Sequence, residues 1–176
     1  MTSGRNPAVA LRLSALSLLL GLASTGCLHT MEAIDPRTLP ITSASGQRLQ
    51  QHVSFLASPE LAGRLPGSPG NRQAAHYIEE QFRAVGLHPL PSLGGYRQAI
   101  SPTIGDNILG FLPPPPGPAP ARWIVIGAHY DHLGYPFLGA DDNASSVAIL
   151  IETARRMTSL SRHGILFVAF NSEESP

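Results

Sequence analysis

Cysteine is nearly absent from this 176-residue chain, and charged residues are few. The single cysteine, Cys27, excludes an intramolecular disulfide framework and a zinc finger built from cysteines. Charged residues make up 14% of the chain, and 12 basic side chains balance 12 acidic ones. Since neither sign is in excess, the composition gives no reason to expect nucleic acid or an anionic membrane surface as a partner. The hydrophobic content of 43% supports a globular domain with a core.

The apolar stretch of residues 13–23 is too short for a permanent membrane span. It follows Arg5 and Arg12 with no acid before it, which is the pattern of a secretory signal peptide. The ending Ser24-Thr25-Gly26-Cys27 resembles a bacterial lipoprotein cleavage box, although Ser24 stands where Leu is commonest. An ordinary secretory signal that is cleaved near Cys27 is the alternative.

These features predict an exported protein of the bacterial cell envelope. We expect a signal peptide over residues 1–26 and a polar tether over 27–45, with Cys27 as a candidate lipid anchor to the membrane. Residues 46–176 then form the domain. Its proline-rich stretch, Pro113 to Pro120, can form neither a helix nor a strand interior and predicts an exposed connector.

Apolar periodicity predicts three helices and two well-defined strands. The helices are expected over 46–57 with Ser45 as the cap, over 71–85 with a stop at Gly86, and over 144–157 with Asp142 or Asn143 as the cap. The strands are expected over 123–128, buried on both faces, and over 164–170. Residues 96–100 and 107–112 suit shorter strands.

The order of strand, loop, helix and strand over residues 123–170 is a βαβ unit, whose strands are parallel. The chain therefore reads as α/β, with a mostly parallel sheet flanked by helices. A parallel sheet with two secure strands and no helix after the second is not a finished domain. We therefore expect the chain to be the amino-terminal part of a longer, truncated domain.

Polar side chains follow both strands at their carboxyl ends, where α/β proteins place their binding and catalytic groups. His129 and Asp131 follow the first strand, and their spacing puts both on one side of it. Asp141 and Asp142 close the loop after that strand, and Glu173-Glu174 follows the second strand. Together, His and carboxylate ligands suit zinc, whereas an all-oxygen set would suit calcium or magnesium.

Each of these groups also has a plainer interpretation. A histidine at a strand end is often only hydrogen-bonded, an acidic pair before a helix stabilises its positive end, and Glu-Glu can be a solvated turn. The combination favours a metal site, with one of the two aspartates as a ligand. Adjacent glutamates can then divide the work, one binding metal and one accepting a proton from water.

Three segments carry a resemblance: GAHYDHLG (127–134), GADDNASSVAIL (139–150) and FVAFNSEE (167–174). In this order they resemble the signatures of the co-catalytic di-zinc aminopeptidases, a superfamily that also includes glutamate carboxypeptidases and glutaminyl cyclases. The stretch of residues 56–87 is also similar to the amino-terminal part of exported bacterial peptidases of this kind. The resemblance spans residue 46 to the end.

The resemblance implies a zinc-exopeptidase fold, two zinc ions in the complete protein and a peptide substrate. His129 would bind one zinc, Asp141 would bridge both, and Glu174 would be a second ligand. Asp131 would orient His129, and Glu173 would be the general base. The Asp141–Asp142 peptide is expected to be cis, and His132 lies where the family needs no ligand.

The chain also departs from the family. Two further ligands of the family, a later Asp and a later His, would fall beyond Pro176, and Ser146 replaces the usual Gly. Ser175-Pro176 differs from the Gly-containing segment that commonly follows the acidic pair. The 176-residue chain by itself would then bind zinc weakly and be inactive.

Several functions remain open at this stage. The leading one is a zinc aminopeptidase that removes amino-terminal residues from peptides. A glutaminyl-cyclase-like enzyme and a non-catalytic lipoprotein module of the same fold are the alternatives. A metallo-β-lactamase-like hydrolase is disfavoured, since its H-x-H-x-D-H motif needs a histidine where this chain has Gly127.

Overall fold

A four-stranded sheet with three longer helices forms the described part of the protein. The computed structural model describes residues 43–114, 116–117, 122–157 and 163–174, all within the unit of residues 41–176. The predicted signal peptide, Cys27 and most of the tether lie outside these residues, as do parts of the proline-rich connector. The elements are α1 (Ala44–Leu56), α2 (Pro69–Ala84), β1 (Arg97–Ser101), β2 (Gly105–Leu112), β3 (Trp123–His129), α3 (Ser145–Arg156) and β4 (Gly164–Phe170).

The first two helices begin two residues before their predicted starts, and each has a serine cap. The Ser43 hydroxyl accepts a hydrogen bond from the Gly46 backbone N–H at 3.0 Å, so the predicted cap, Ser45, is wrong. Ser45 lies in the first turn instead and accepts from Arg48. Ser68 caps α2. The helix then starts with a proline, which is tolerated there because a residue in the first turn donates no backbone hydrogen bond within the helix.

The third helix does not use the predicted aspartate or asparagine cap. Its N-cap residue is Ala144, which makes no side-chain capping bond. A π-helical turn, Ala140–Ala144, precedes the helix, and within it Asp142 and Asn143 have non-helical backbone angles. The acidic pair therefore lies on an irregular turn ahead of α3, where its side chains are free for another role.

The sheet has the strand order β1-β2-β4-β3 and is mixed. β3 and β4 are parallel, as the βαβ pattern predicts, and their register runs from Trp123 beside Gly164 to His129 beside Phe170. β1–β2 and β2–β4 are antiparallel. Residues 102–104 are too few for the crossover that parallel strands need, so β1 and β2 form a hairpin. The predicted α/β class is confirmed, but the predicted mostly parallel sheet is wrong for the described strands, since only one of their three pairings is parallel.

The burial of β3 differs from the prediction. This strand was expected to be buried on both faces, but Trp123 is 54% exposed and Val125 is 58% exposed. β3 lies at the edge of the described sheet, with β4 on one side only. Ala128, directly before His129, is the one buried residue of β3. By contrast, the apolar stripe of α2 is buried as predicted, at Ala74, Ala75, Ile78 and Phe82.

None of the described helices is long and apolar enough to cross a membrane.

Candidate metal centre

The parallel pairing of β3 and β4 brings the two polar segments together. His129 is the last residue of β3 and lies beside Phe170, the last residue of β4. The Tyr130 N–H continues the ladder by donating to the Phe170 carbonyl at 2.8 Å. One step further, the Asp131 carboxylate accepts a hydrogen bond from the Glu174 N–H at 3.1 Å. The segments after the two strands are therefore bonded to each other, as the sequence predicts for adjacent parallel strands.

The His129 ring lies between carboxylates on both of its sides. Its Nε2 is 3.2 Å from Asp142 Oδ1 and 4.0 Å from Glu173 Oε2. On the other side, its Nδ1 is 3.7 Å from Asp131 Oδ1. The His129 side chain is 14% exposed, whereas those of Asp142 and Glu173 are 62% and 60% exposed. One edge of the ring thus faces the interior, and the other faces acids at the surface.

Asp131 is fully buried and lies where a residue that orients His129 should lie. Its Oδ1 and the His129 Nδ1 are both buried and have no hydrogen-bond partner among the described residues. Their separation of 3.7 Å is longer than a hydrogen bond, and a small rotation of the ring would close it. With a metal bound at Nε2, a carboxylate on this side would accept a hydrogen bond from Nδ1 and orient the ring.

Glu174 lies at the centre of two overlapping clusters of metal-ligand types. One cluster holds His129, Glu173 and Glu174, and the other holds His132, Asp142 and Glu174. Within each cluster, one ligand atom per residue lies within 4.8 Å of the others. The Glu174 carboxylate is only 19% exposed and lies 3.0 Å from His132 Nδ1. The predicted residues His129, Glu173 and Glu174 are thus brought together.

His132, which was expected to be no ligand, lies 3.0 Å from the predicted ligand Glu174. It is 7% exposed, and its backbone N–H donates to the Arg64 carbonyl. The signal in the sequence is its position: it follows Asp131 immediately, at the same strand end. The family resemblance gave no reason to count His132 among the site residues, whereas its place next to Asp131 does.

Asp142, not the predicted Asp141, is the aspartate that reaches this centre. Asp141 belongs to neither cluster, its side chain is exposed, and its backbone carbonyl accepts a hydrogen bond from Ser145 at 2.8 Å. The predicted position of the cis peptide is wrong by the same single residue: the Asp142–Asn143 bond is cis, and the Tyr135–Pro136 bond is also cis. The pattern Asp-Asp does not tell which of the two residues the turn directs toward His129.

A buried arginine lies behind the centre. Arg64 is fully buried, and its Nε donates to the Tyr130 carbonyl at 2.7 Å. Burial lowers the pKa of the Arg64 guanidinium to about 10, although the negative charges of Asp131 and Asp142 act in the opposite direction. Arg64 thus remains a cation at neutral pH and places positive charge beneath the acids. Burial also raises the pKa of Tyr130, whose hydroxyl donates to the Asp106 carbonyl at 2.7 Å.

These donors fit zinc. Imidazole nitrogen and carboxylate oxygen are both common zinc ligands, at about 2.0–2.2 Å from the ion. Two ligand atoms of one ion are then at most about 4.4 Å apart. The ligand atoms in each cluster lie within 4.8 Å of one another, so small side-chain movements would bring them to that distance. The buried pair of His129 Nδ1 and Asp131 Oδ1 is also the arrangement that usually supports a histidine ligand. Either cluster could therefore hold an ion, and Glu174 belongs to both.

Comparison with known proteins supports this chemistry. Residues 107–176, which include β3, α3, β4 and the whole centre, match peptidase family M28. The chain is 33% identical over 146 residues to the "Uncharacterized protein YfbL" of Escherichia coli (strain K12), an alignment that covers 76% of this chain and 41% of that protein. The chain therefore spans less than half the length of this relative.

Two solved structures share the fold. Porphyromonas gingivalis glutaminyl cyclase is 25% identical, with a TM-score of 0.55 over 73% of this chain and 45% of that one. A Zn-dependent exopeptidase from Parabacteroides distasonis is 21% identical, with a TM-score of 0.55 over 73% of this chain and 47% of that one. The chain is thus similar in fold to glutaminyl cyclases and Zn-dependent exopeptidases over part of their length, and its residues 107–176 match peptidase family M28.

Proposed function

We propose that the protein is a zinc-dependent exopeptidase that removes amino-terminal residues from peptides. One observation carries the proposal: His129 Nε2 lies 3.2 Å from Asp142 Oδ1, with Glu173 at 4.0 Å on the same edge of the ring. A histidine with a buried carboxylate behind it and acids in front of it is the arrangement of a metal ligand. Two zinc ions are expected in the complete protein.

Glu173 is proposed as the general base. Its side chain is 60% exposed, so it can reach an incoming substrate, whereas Glu174 is mostly buried and hydrogen-bonded. When bound, zinc would polarise the scissile carbonyl and lower the pKa of water. Glu173 would accept the proton of the attacking water and return it to the amine that leaves. Asp131 would keep His129 in the required tautomer.

Glutaminyl cyclisation is the second candidate function, because the similar structure of Porphyromonas gingivalis is a glutaminyl cyclase at 25% identity. In that reaction the amino group of an amino-terminal glutamine attacks its own side-chain amide, and ammonia leaves. Glu173 could carry a proton from the amine to the leaving ammonia without any attacking water. The same residues therefore serve both reactions, and the substrate decides between them.

The test uses the full chain and two substrates, after zinc binding has been measured. Release of a free amino acid from an unblocked peptide, and none from the N-acetylated peptide, supports the aminopeptidase. Loss of ammonia from an amino-terminal glutamine peptide, seen by mass spectrometry, supports the cyclase instead. Zinc binding without either reaction would leave a non-catalytic module of the same fold. Absence of zinc binding would contradict the proposal altogether.

We also propose that the protein is exported and anchored through Cys27. The support is the pairing of Arg5 and Arg12 with the apolar stretch of residues 13–23. Expressed in a Gram-negative bacterium, the chain should fractionate with membranes, and the Cys27→Ala variant should be released or left uncleaved. If both proteins stay in the cytoplasm, the proposed export is wrong.

A further inference from the structure

Arg64 makes all its described hydrogen bonds to backbone carbonyls, and most of those carbonyls belong to one loop. Nε donates to Tyr130 at 2.7 Å, Nη1 to Leu138 at 2.8 Å, and Nη2 to Gly139 at 2.9 Å. Nη1 also donates to the Leu56 carbonyl at the end of α1. The guanidinium therefore holds both ends of the loop of residues 130–139 and ties them to a helix.

The two ends of this loop carry the metal centre. Tyr130 stands between His129 and Asp131 in the sequence, and Gly139 stands three residues before Asp142. By bonding both carbonyls, one planar group sets the distance between the histidine side and the aspartate side of the centre. Only an arginine offers donors in several fixed directions from one planar group, whereas a lysine presents a point charge.

The backbone around Arg64 is shaped for this position. Ala62, Gly63 and Arg64 all have positive φ, at 45°, 72° and 50°. This left-handed turn lies against the loop: the Gly63 carbonyl accepts from the Gly134 N–H at 3.1 Å, and the Arg64 carbonyl accepts from the His132 N–H at 3.4 Å. Side chain and main chain of the same turn therefore bond the same loop.

The turn also reaches the second strand end. The Asn71 amide donates to the Arg64 carbonyl at 3.2 Å and to the Asn171 side chain at 2.9 Å. Asn171 in turn accepts from the Ser172 N–H at 3.0 Å, directly before Glu173. A continuous buried network thus joins Arg64 to the segments after β3 and after β4.

We propose that Arg64 is a positioning residue, which holds the loop of residues 130–139 so that His129 and Asp142 are already in place when the metal binds. The inference rests on the zinc site of the proposed function. The inference goes beyond the proposed function, because it makes the affinity for the metal depend on a residue that does not touch the metal.

The test measures zinc affinity in the full chain, by competition with a chelator, for the wild type and for the Arg64→Lys and Arg64→Met variants. Arg48→Met is the matched control, because Arg48 also makes a two-bond contact between elements, to Glu152 at 2.7 and 2.8 Å, but away from the centre. We expect both Arg64 variants to lose at least about tenfold in zinc affinity. The control should lose thermal stability and keep the wild-type affinity.

A spectroscopic readout separates positioning from general stability. With Co²⁺ as the probe, the visible absorption of the Arg64→Lys variant should differ from that of the wild type, and that of the Arg48→Met variant should not. If Arg64→Lys is folded and binds zinc and Co²⁺ like the wild type, the inference is wrong. If the wild type itself binds neither ion, the proposed function fails first and the inference fails with it.

Hydrogen exchange of the wild type tests the inference even if the Arg64 variants do not fold. The amides of His132 and Gly134, which donate to the Arg64 turn, should be protected from exchange in the metal-free protein. Rapid exchange that slows only after zinc is added would show that the metal organises the loop, and Arg64 would not have the proposed role.

Discussion

The Asp142 carboxylate lies 3.2 Å from Nε2 of His129, across the loop that joins β3 to α3. The contact links a mostly buried ring to an exposed acid, and it is the shortest contact between His129 and a carboxylate in the described residues. It makes Asp142 the aspartate whose loss should matter most for the metal.

The two neighbouring aspartates offer a matched pair of variants. We expect Asp142→Asn to weaken zinc binding by at least tenfold, about 1.4 kcal/mol, because a neutral amide is a poor replacement for a carboxylate ligand. Asp141→Asn should leave the affinity nearly unchanged, since Asp141 lies outside both clusters. Titration with zinc checks both variants. The reverse order of effects would restore Asp141 as the ligand.

Replacing Glu173 tests the proposed base separately from the metal. We expect Glu173→Gln to lower the rate by about 10²–10⁴-fold, the usual contribution of a general base, in a version of the protein that shows activity. Bound zinc, measured by elemental analysis, should stay at the wild-type amount. A variant that loses zinc together with its activity would instead make Glu173 a ligand.

Two glycines with positive φ differ in the space around them. An added Cβ at Gly63 would lie 2.1 Å from the Phe137 carbonyl oxygen, whereas nothing lies within 4 Å at Gly86. We expect Gly86→Ala to lower the free energy of unfolding by about 1 kcal/mol, because alanine is strained in the left-handed backbone of this position. Gly63→Ala should cost about 1–3 kcal/mol more through overpacking and should weaken zinc binding. Urea unfolding measures both costs, and equal costs would contradict the close contact seen at Gly63.

His52 should make stability depend on pH. His52 is 4% exposed, and its Nδ1 lies 2.7 Å from the Tyr77 hydroxyl. Burial lowers the pKa of His52 below the usual 6.5. The Glu152 charge raises this pKa, and the Arg155 and Arg48 charges lower it further. Below about pH 6.5 the unfolded chain binds a proton that the folded chain excludes, so stability falls as the pH falls through that value.

The measurement is the midpoint of urea unfolding between pH 5 and 7.5. His52→Gln should flatten the dependence in this range. An equally steep dependence in the His52 variant would assign the effect to other groups.

The sequence by itself was sufficient for the local elements and for the place of the site. β4 was predicted over the residues it occupies, and β3 and the helices are within about two residues of their predicted ends, because apolar periodicity is a local property of the sequence. The parallel pairing of β3 and β4 followed from the helix between them, and that pairing alone brings His129 near Glu173 and Glu174.

The tertiary structure decided which side chains complete the centre. Asp141 and Asp142 are alike in the sequence, and only the path of the turn before α3 directs Asp142 to His129. The exposure of β3 likewise depends on its place at the edge of the described sheet, which no apolar run reveals. Arg64 could not be predicted, since its partners are backbone carbonyls. Every residue has such a carbonyl, so only the folded chain shows which ones converge on one guanidinium.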